Sequence, residues 1–276
     1  MDQPGHPAPR PSLGALLSLQ GRTAVVTGAG RGIGAAIADR LAEAGADVLL
    51  ADLDGTAVEQ GAAELRQRWG TRCTGHELDV RNPRSVDALA ALADGPDGRL
   101  RIWVNNAGIY PAAALAELEL EQWQQVQDIN ATGTFLGARA AARRMTGHPD
   151  RHGHVIVNLS SVAGLTGRPR MASYVAAKHA VSGLTRALAV ELGPSGIRVV
   201  AVAPGFVDTQ AFRERASTPA GARQNAMASA DLGNAVPLGR AASADDVARV
   251  VLWAVSDLAS YVSGVVLPID GGMLAR

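Results

Sequence analysis

The chain holds a single cysteine, Cys73, in 276 residues, so no intrachain disulfide can form and a zinc site built on several thiolates has no ligands. That usage fits a reducing cytoplasm. Charge of one sign is also missing: 26 basic residues meet 26 acidic ones, and the formal net charge is zero. Neither nucleic acid nor an anionic membrane is offered an electrostatic footprint. Long apolar runs are absent too. Leu13–Leu19 falls well short of the roughly 18 residues that a spanning helix needs, and no signal-type cleavage site follows it. Aromatics are sparse at 4%, which leaves a core to be assembled from Ala, Val and Leu.

Glycine, by contrast, is abundant, with 31 residues in a sequence that is 47% hydrophobic. Residues 1–20, with four prolines, read as a flexible leader ahead of the fold. From Gly21 onward short β-branched runs alternate with Ala-rich helical stretches. Strands are expected at Thr23–Thr27, Asp47–Ala51, Arg72–Leu78, Arg101–Asn105, His154–Leu159, Arg198–Val202 and Val265–Ile269, with helices such as Gly32–Ala44 and Gly55–Trp69 between them. These strands are continuous apolar runs, the pattern of a parallel sheet buried on both faces. Strand-helix alternation of this kind points to a doubly wound α/β domain. No internal stretch has linker composition, so residues 21–276 read as one domain. Gly147–Gly153 is a polar turn whose His148 and His152, with His154 after them, lack a carboxylate or cysteine at ligand spacing; it reads as a solvated loop. The long polar segment Phe206–Pro237 reads as a substrate lid with Phe212, Met227 and Leu232 on one apolar face.

The chemistry gathers in three places. Tyr174 and Lys178 are four apart, so on a helix they share a face. A fixed ammonium favours the phenolate and tunes the phenol for proton transfer near neutral pH. A packing tyrosine and a solvated lysine share that spacing on many helices, so the pair needs company. Ser160 and Ser161 lie upstream, either able to hold a substrate oxygen. Thr27–Gly34 reads T-G-A-G-R-G-I-G between a strand and a helix. Gly28, Gly32 and Gly34 permit a tight turn and close approach of a pyrophosphate to the helix N-terminus. Asp52 ends the second strand, where a carboxylate can take both ribose hydroxyls of NAD and repel the 2′-phosphate of NADP; a turn or cap role is the alternative.

The glycine spacing T-G-x-x-x-G-x-G, together with Asn105-Asn106-Ala107-Gly108, Asn130, Ser161, Tyr174, Lys178 and Pro204-Gly205, closely resembles the short-chain dehydrogenase/reductase family from about Gly21 to the C-terminus. The resemblance implies a Rossmann-type sheet of about seven strands in the order 3-2-1-4-5-6-7, helices on both faces. It implies that Tyr174 is the acid/base, that Lys178 holds the nicotinamide ribose, that Ser161 orients the substrate oxygen, and that Asn130 supports a water leading to Lys178. Gly28, Arg31, Gly32, Ile33, Gly34, Asp52, Leu53, Asp79, Val80, Asn106, Ala107 and Gly108 would line the cofactor. Pro204, Gly205, Val207 and Thr209 would hold its carboxamide end. No metal is implied.

The cofactor expected is NAD, since no second base follows Asp52, and the reaction expected is hydride transfer with a secondary alcohol or ketone. Arg31 keeps open an NADPH-dependent 3-oxoacyl or polyketide-type ketoreductase. A third possibility is a dinucleotide-binding protein without turnover, against which the filled tetrad argues. Ile109, Tyr110, Ala163, Leu165 and Met171 are candidate pocket residues, mostly apolar, and favour an uncharged substrate of moderate size. Arg168 and Arg170 read as solvated surface. The resemblance also implies a homotetramer, through the small-residue helices Thr132–Met145 and Ser173–Leu192 and the Val265–Gly272 segment.

Overall fold

Strand β1 (Thr23–Thr27) is buried at all five positions, as is β5 (His154–Leu159) at all six, because helices cover both faces of the sheet they occupy. The computed structural model describes residues 10–148, 150, 153–210, 213 and 236–275. With β2 (Asp47–Asp52), β3 (Cys73–Glu77), β4 (Leu100–Asn105) and β6 (Ile197–Pro204) these strands form a parallel sheet. After the short pair β7 (Val207–Asp208) and β8 (Ala242–Ser243), strand β9 (Val266–Ile269) closes it. The order is β3-β2-β1-β4-β5-β6-β9, the expected doubly wound topology. No helix among the described residues is long and apolar enough to cross a membrane. Phe212, Met227 and Leu232 of the expected lid, and His152, lie outside the described residues.

Alternation along each strand divides the core. Ala24 and Val26 of β1 face one cluster and Val25 faces the other. The first cluster is closed by α2 (Gly32–Glu43), α3 (Gly55–Trp69) and an Ala244–Val255 helix, with Ile37, Leu41, Val58, Leu65 and Val251 buried. The second is closed by α4 (Pro83–Asp94) and helices Gly133–Met145 and Ala172–Leu192, with Val86, Leu89, Leu136 and Met145. Each such side chain contributes about 2 kcal/mol on leaving water. Some of the small-residue face of Gly133–Met145 is explained inside the monomer: a Cβ at Gly137 would stand 2.6 Å from Trp103 Nε1.

Two expectations change. The leader is not loose throughout: Ser12 caps a short helix, Leu13–Leu17, and Leu19 is fully buried with its N–H on Ala44 O at 2.8 Å. A buried leucine anchors what proline content suggested would be mobile. His154 is buried where it opens β5, the strand expected to begin at that residue. Its Nε2 accepts from Arg101 at 3.0 Å, and burial together with that cation pushes the imidazole down to about 4. Finally, the helix before β5 does not start at Thr132. A π-helical turn, Asp128–Thr132, joins it to the preceding helix Leu120–Gln127.

Candidate active site

The C-terminal ends of β1, β4, β5 and β6 carry the residues singled out above, where open α/β sheets bind ligands. At the end of β1 the glycine loop is bonded down from its neighbour strand. Asn106 Nδ2 donates to Thr27 O and Gly28 O, both at 2.9 Å, and Thr27 Oγ1 accepts from Asn106 N at 3.0 Å and Ala107 N at 3.2 Å. Gly28 has φ 65°, in the left-handed region that favours glycine, and a Cβ there would be 2.8 Å from Ala107 Cα. A Cβ on Gly34 would overlap the Gly28 carbonyl and crowd Asn106 Nδ2. The third glycine is thus a packing requirement between helix and strand.

Helix N-termini in the fold are either capped by a side chain or left open, as at α2, Leu120–Gln127 and Ala172–Leu192. Asp54, Asn82 and Ser243 cap their helices with side-chain oxygens, whereas Arg31 at the α2 N-cap provides no side-chain cap. The first N–H groups of α2, at Gly32, Ile33 and Gly34, therefore have no side-chain acceptor at their head, and the helix dipole favours an anion there. Asp52 stands against this loop: its Oδ2 accepts Gly30 N–H at 3.0 Å and its Oδ1 accepts Asp54 N–H at 3.2 Å. Leu53 beside it is 61% exposed, an apolar surface at the rim. Asp79 follows β3, but its carboxylate is engaged by Arg81, with Nε and Nη2 donating at 2.9 and 2.7 Å. Those hydrogen bonds hold Asp79 below the usual carboxylate range. Val80 packs where Gly133 leaves room, a Cβ there falling 2.8 Å from Val80 Cγ2.

Around Gly108 the structure brings together Asn130 and Lys178, with Tyr174 beside the lysine. A Cβ at Gly108 would lie 2.5 Å from Asn130 Oδ1 and 3.7 Å from Lys178 Nζ, so glycine opens the space that both side chains border. Asn130 sits in the π turn, fully buried, its Nδ2 donating to Ile109 O at 2.9 Å and Val126 O at 3.0 Å. Its Oδ1 is buried with no hydrogen-bond partner among the described residues, which marks a place for a donor. Lys178 is 4% exposed and donates to Leu159 O at 2.6 Å, and burial pushes its ammonium down to about 8. Its Nζ is 5.7 Å from the centre of the Tyr174 ring, against whose other surroundings the Tyr110 ring packs edge-on at 6.1 Å.

The two serines separate cleanly. Ser160 is structural, its Oγ bonded to Lys178 O at 3.2 Å and Ser182 Oγ at 2.8 Å. Ser161 caps the Val162–Gly164 turn, its Oγ accepting Ala163 N–H at 3.2 Å and donating only over a long 3.4 Å to Pro204 O. The end of β6 therefore abuts the end of β5. Gly205 is pressed between Asp270 and Met273, with Val207 buried behind it, and Thr209 comes back to the glycine loop, 3.7 Å from where a Gly32 Cβ would be. Behind the site runs a buried chain that sequence reasoning missed: Trp103 Nε1 to Asn105 Oδ1 (2.7 Å), Asn105 Nδ2 to Asn158 Oδ1 (2.9 Å), Asn158 Nδ2 to Thr185 Oγ1 (3.0 Å). A separate cavity of about 600 Å³, lined by Phe206, Val236, Trp253 and Ile269 among others, has none of Asn130, Ser161, Tyr174 or Lys178 in its wall.

Comparison with known proteins agrees with this geometry. A family model described as enoyl-(acyl carrier protein) reductase matches residues 28–274. A 3-oxoacyl-acyl-carrier-protein reductase of Aquifex aeolicus is 37% identical, over 93% of this chain and 99% of its own. The chain is a short-chain dehydrogenase/reductase. A cis-4-hydroxycyclohexanecarboxylate dehydrogenase of Sinomonas cyclohexanicum is 41% identical over 92% of this enzyme and 97% of its own length. The crystal structure of a short-chain type dehydrogenase/reductase from Mycobacterium marinum superposes with a TM-score of 0.85 at 34% identity, covering 96% and 100% of the two chains. As a short-chain dehydrogenase/reductase the protein is an oxidoreductase of the class that uses a nicotinamide dinucleotide. The residues present fit such a ligand: an uncapped helix N-terminus for its phosphates, a glycine gap beside Lys178, and an unmatched acceptor on Asn130.

Proposed function

We propose that this enzyme moves a hydride between NAD(H) and a secondary alcohol or its ketone, with Tyr174 as acid and base. The observation that carries the reading is that Asn130 and Lys178 both border the gap at Gly108, with the Tyr174 ring centre 5.7 Å from Lys178 Nζ. When bound, the nicotinamide accepts or supplies the hydride. In alcohol oxidation the Tyr174 phenolate takes the hydroxyl proton as the hydride leaves the carbinol carbon; in reduction the phenol returns it. Lys178, still mostly charged at neutral pH, stabilises the phenolate through the short separation across the Tyr174 face and holds the nicotinamide ribose. Ser161 Oγ exchanges its long bond to Pro204 for the substrate oxygen and fixes it beside the phenol. Asn130 Oδ1 takes the hydrogen bond of a water that links Lys178 to bulk and refills the proton.

On the cofactor side, the amides of Gly32, Ile33 and Gly34 receive the pyrophosphate and Asp52 the adenine ribose. Leu53, Asp79 and Val80 border the adenine, and Gly28, Asn106, Ala107 and Gly108 shape the floor. Pro204, Gly205, Val207 and Thr209 hold the carboxamide. Asp52 favours NAD because its carboxylate, fixed by Gly30 N–H and Asp54 N–H, stands where a 2′-phosphate would be repelled. Exposed Arg31 and the likeness to an oxoacyl reductase favour a second reading, an NADPH-dependent ketoreductase. Homotetramer assembly in the cytoplasm belongs to the same proposal. The test is Tyr174→Phe: turnover falls by at least ~10²-fold, the scale of general acid-base catalysis, while NADH binding stays within about threefold. Turnover that survives would remove Tyr174 from the role.

A further inference from the structure

Between Ser161 and the Tyr174 helix runs the loop Leu165–Met171, whose two arginines are held differently. Arg170 is committed. Its φ is 61°, the one non-glycine in the left-handed region among the described residues; its carbonyl accepts Ala113 N–H at 2.9 Å, and its guanidinium lies 3.7 Å from the Glu117 carboxylate. Arg168 is half-buried with its guanidinium over the Phe206 ring, 6.0 Å from the centroid. Among the described residues no carboxylate pairs with it. Acids on the adjoining loops are already taken: Glu117 by Arg170, Asp208 by Arg213, and Asp270 by the N–H groups of Gly272 and Leu274.

Position gives this cation its interest. Ser161 Oγ reaches Pro204 O, so the ends of β5 and β6 touch, and Arg168 and Phe206 bridge the two loops that leave them. An arginine resting on an aromatic face keeps its in-plane N–H donors for another partner. Partial burial strips water from the guanidinium and strengthens a two-pronged match to a carboxylate. The other candidate pocket residues, Tyr110, Leu165 and Met171, carry no competing charge.

We propose that Arg168 receives an anionic group of the substrate, so that the enzyme acts on a secondary alcohol or ketone bearing a carboxylate rather than on the uncharged alcohol suggested by the apolar lining. This rests on the dehydrogenase reading and deepens it. The test titrates cyclohexanecarboxylate and its neutral counterpart cyclohexanecarboxamide into the full chain saturated with NADH, by calorimetry, for wild type and Arg168→Gln. Neither ligand has a carbinol, so binding is read without turnover. The carboxylate should bind at least tenfold tighter than the amide to wild type, and Arg168→Gln should erase that preference while leaving NADH and amide binding within about threefold. Equal binding of the two ligands by wild type overturns the proposal, as does a preference that persists in Arg168→Gln. Loss of both ligands in the variant, with NADH retained, would assign Arg168 to packing under Phe206 and also overturn it. Binding of neither NADH nor NADPH would sink the dehydrogenase reading, and the proposal with it, in a way distinct from failure at Arg168.

Discussion

The glycine cradle and the substrate wall occupy the same end of the sheet but are held by different forces. In the cradle, side-chain oxygens and amides meet specific backbone atoms: Asn106 on Thr27 O and Gly28 O, Thr27 Oγ1 under two N–H groups, Asp52 on Gly30 N–H. In the wall, Tyr110 leans edge-on against Tyr174, Arg168 lies over Phe206, and the Arg170 carbonyl ties two loops together once. Directional bonds with fixed donors accept few residue types, whereas packing contacts accept many of similar volume. The cradle therefore accepts few substitutions. The substrate side can be retuned while the chemistry stays in place.

Lys178 joins the two regions, and its removal should have the largest effect. Lys178→Met is expected to lower turnover by about 10³-fold, within the range of acid-base catalysis, measured as kcat with saturating cofactor. The same variant carries a pH signature. Burial holds Lys178 at about 8, below the ~10.4 of an unfolded lysine, so between those values the unfolded chain binds more protons. Ligand-free wild type should gain stability as pH rises from 8 towards 10, by on the order of 3 kcal/mol at most, and Lys178→Met should lack that gain. Parallel stability curves for the two proteins would show that Lys178 is not buried as described. Next in size is Gly34→Ala. A methyl forced against Gly28 O costs about 1–3 kcal/mol in a packed site, which predicts NADH affinity reduced by roughly 10- to 100-fold, read by fluorescence titration.

How legible these parts were follows from the same contrast. Gly28, Gly34, Asn106, Asp52 and the Tyr174–Lys178 pair could be found from sequence because each satisfies a local demand: a positive φ, a missing Cβ, a carboxylate at a strand end, two side chains on one helix face. The doubly wound sheet likewise followed from strand-helix alternation, while its strand order came with the family resemblance. Other features depend on partners far along the chain and leave no local trace. Thr27 serves residues 79 and 80 positions away, and Asn105 finds Asn158 and, through it, Thr185. The π turn that aims Asn130 shifts the helical register without altering its periodicity. Arg81 claims Asp79, and Leu19 pins the leader, by contacts that composition cannot show. Arg168 read as surface because charge alone does not reveal the ring beneath it.

A smaller effect is expected at the rim of the cradle. Asp52→Asn keeps the size of the side chain and an oxygen for Gly30 N–H, but removes the negative charge. The ratio of NADH to NADPH affinity should then fall by about tenfold, roughly 1.4 kcal/mol, with little change in stability. An unchanged ratio would mean that the carboxylate serves the loop alone, and would move the cofactor preference to Arg31.

The smallest effect should fall on the wall. Tyr110→Leu removes an edge contact to Tyr174 that is worth about 0.5–1.5 kcal/mol and leaves an apolar group of useful volume. For any substrate the enzyme turns over, KM is expected to rise by a few-fold, because 1.4 kcal/mol is tenfold and the leucine recovers part of the contact. The kcat should stay within about twofold, since Tyr174 remains placed by its helix and by Lys178 beneath it. A collapse of kcat approaching that of Lys178→Met would show that Tyr110 fixes the acid/base as rigidly as Asn106 fixes the glycine loop. The wall would then be as tightly specified as the cradle, and retuning it for a new substrate would not leave the chemistry intact.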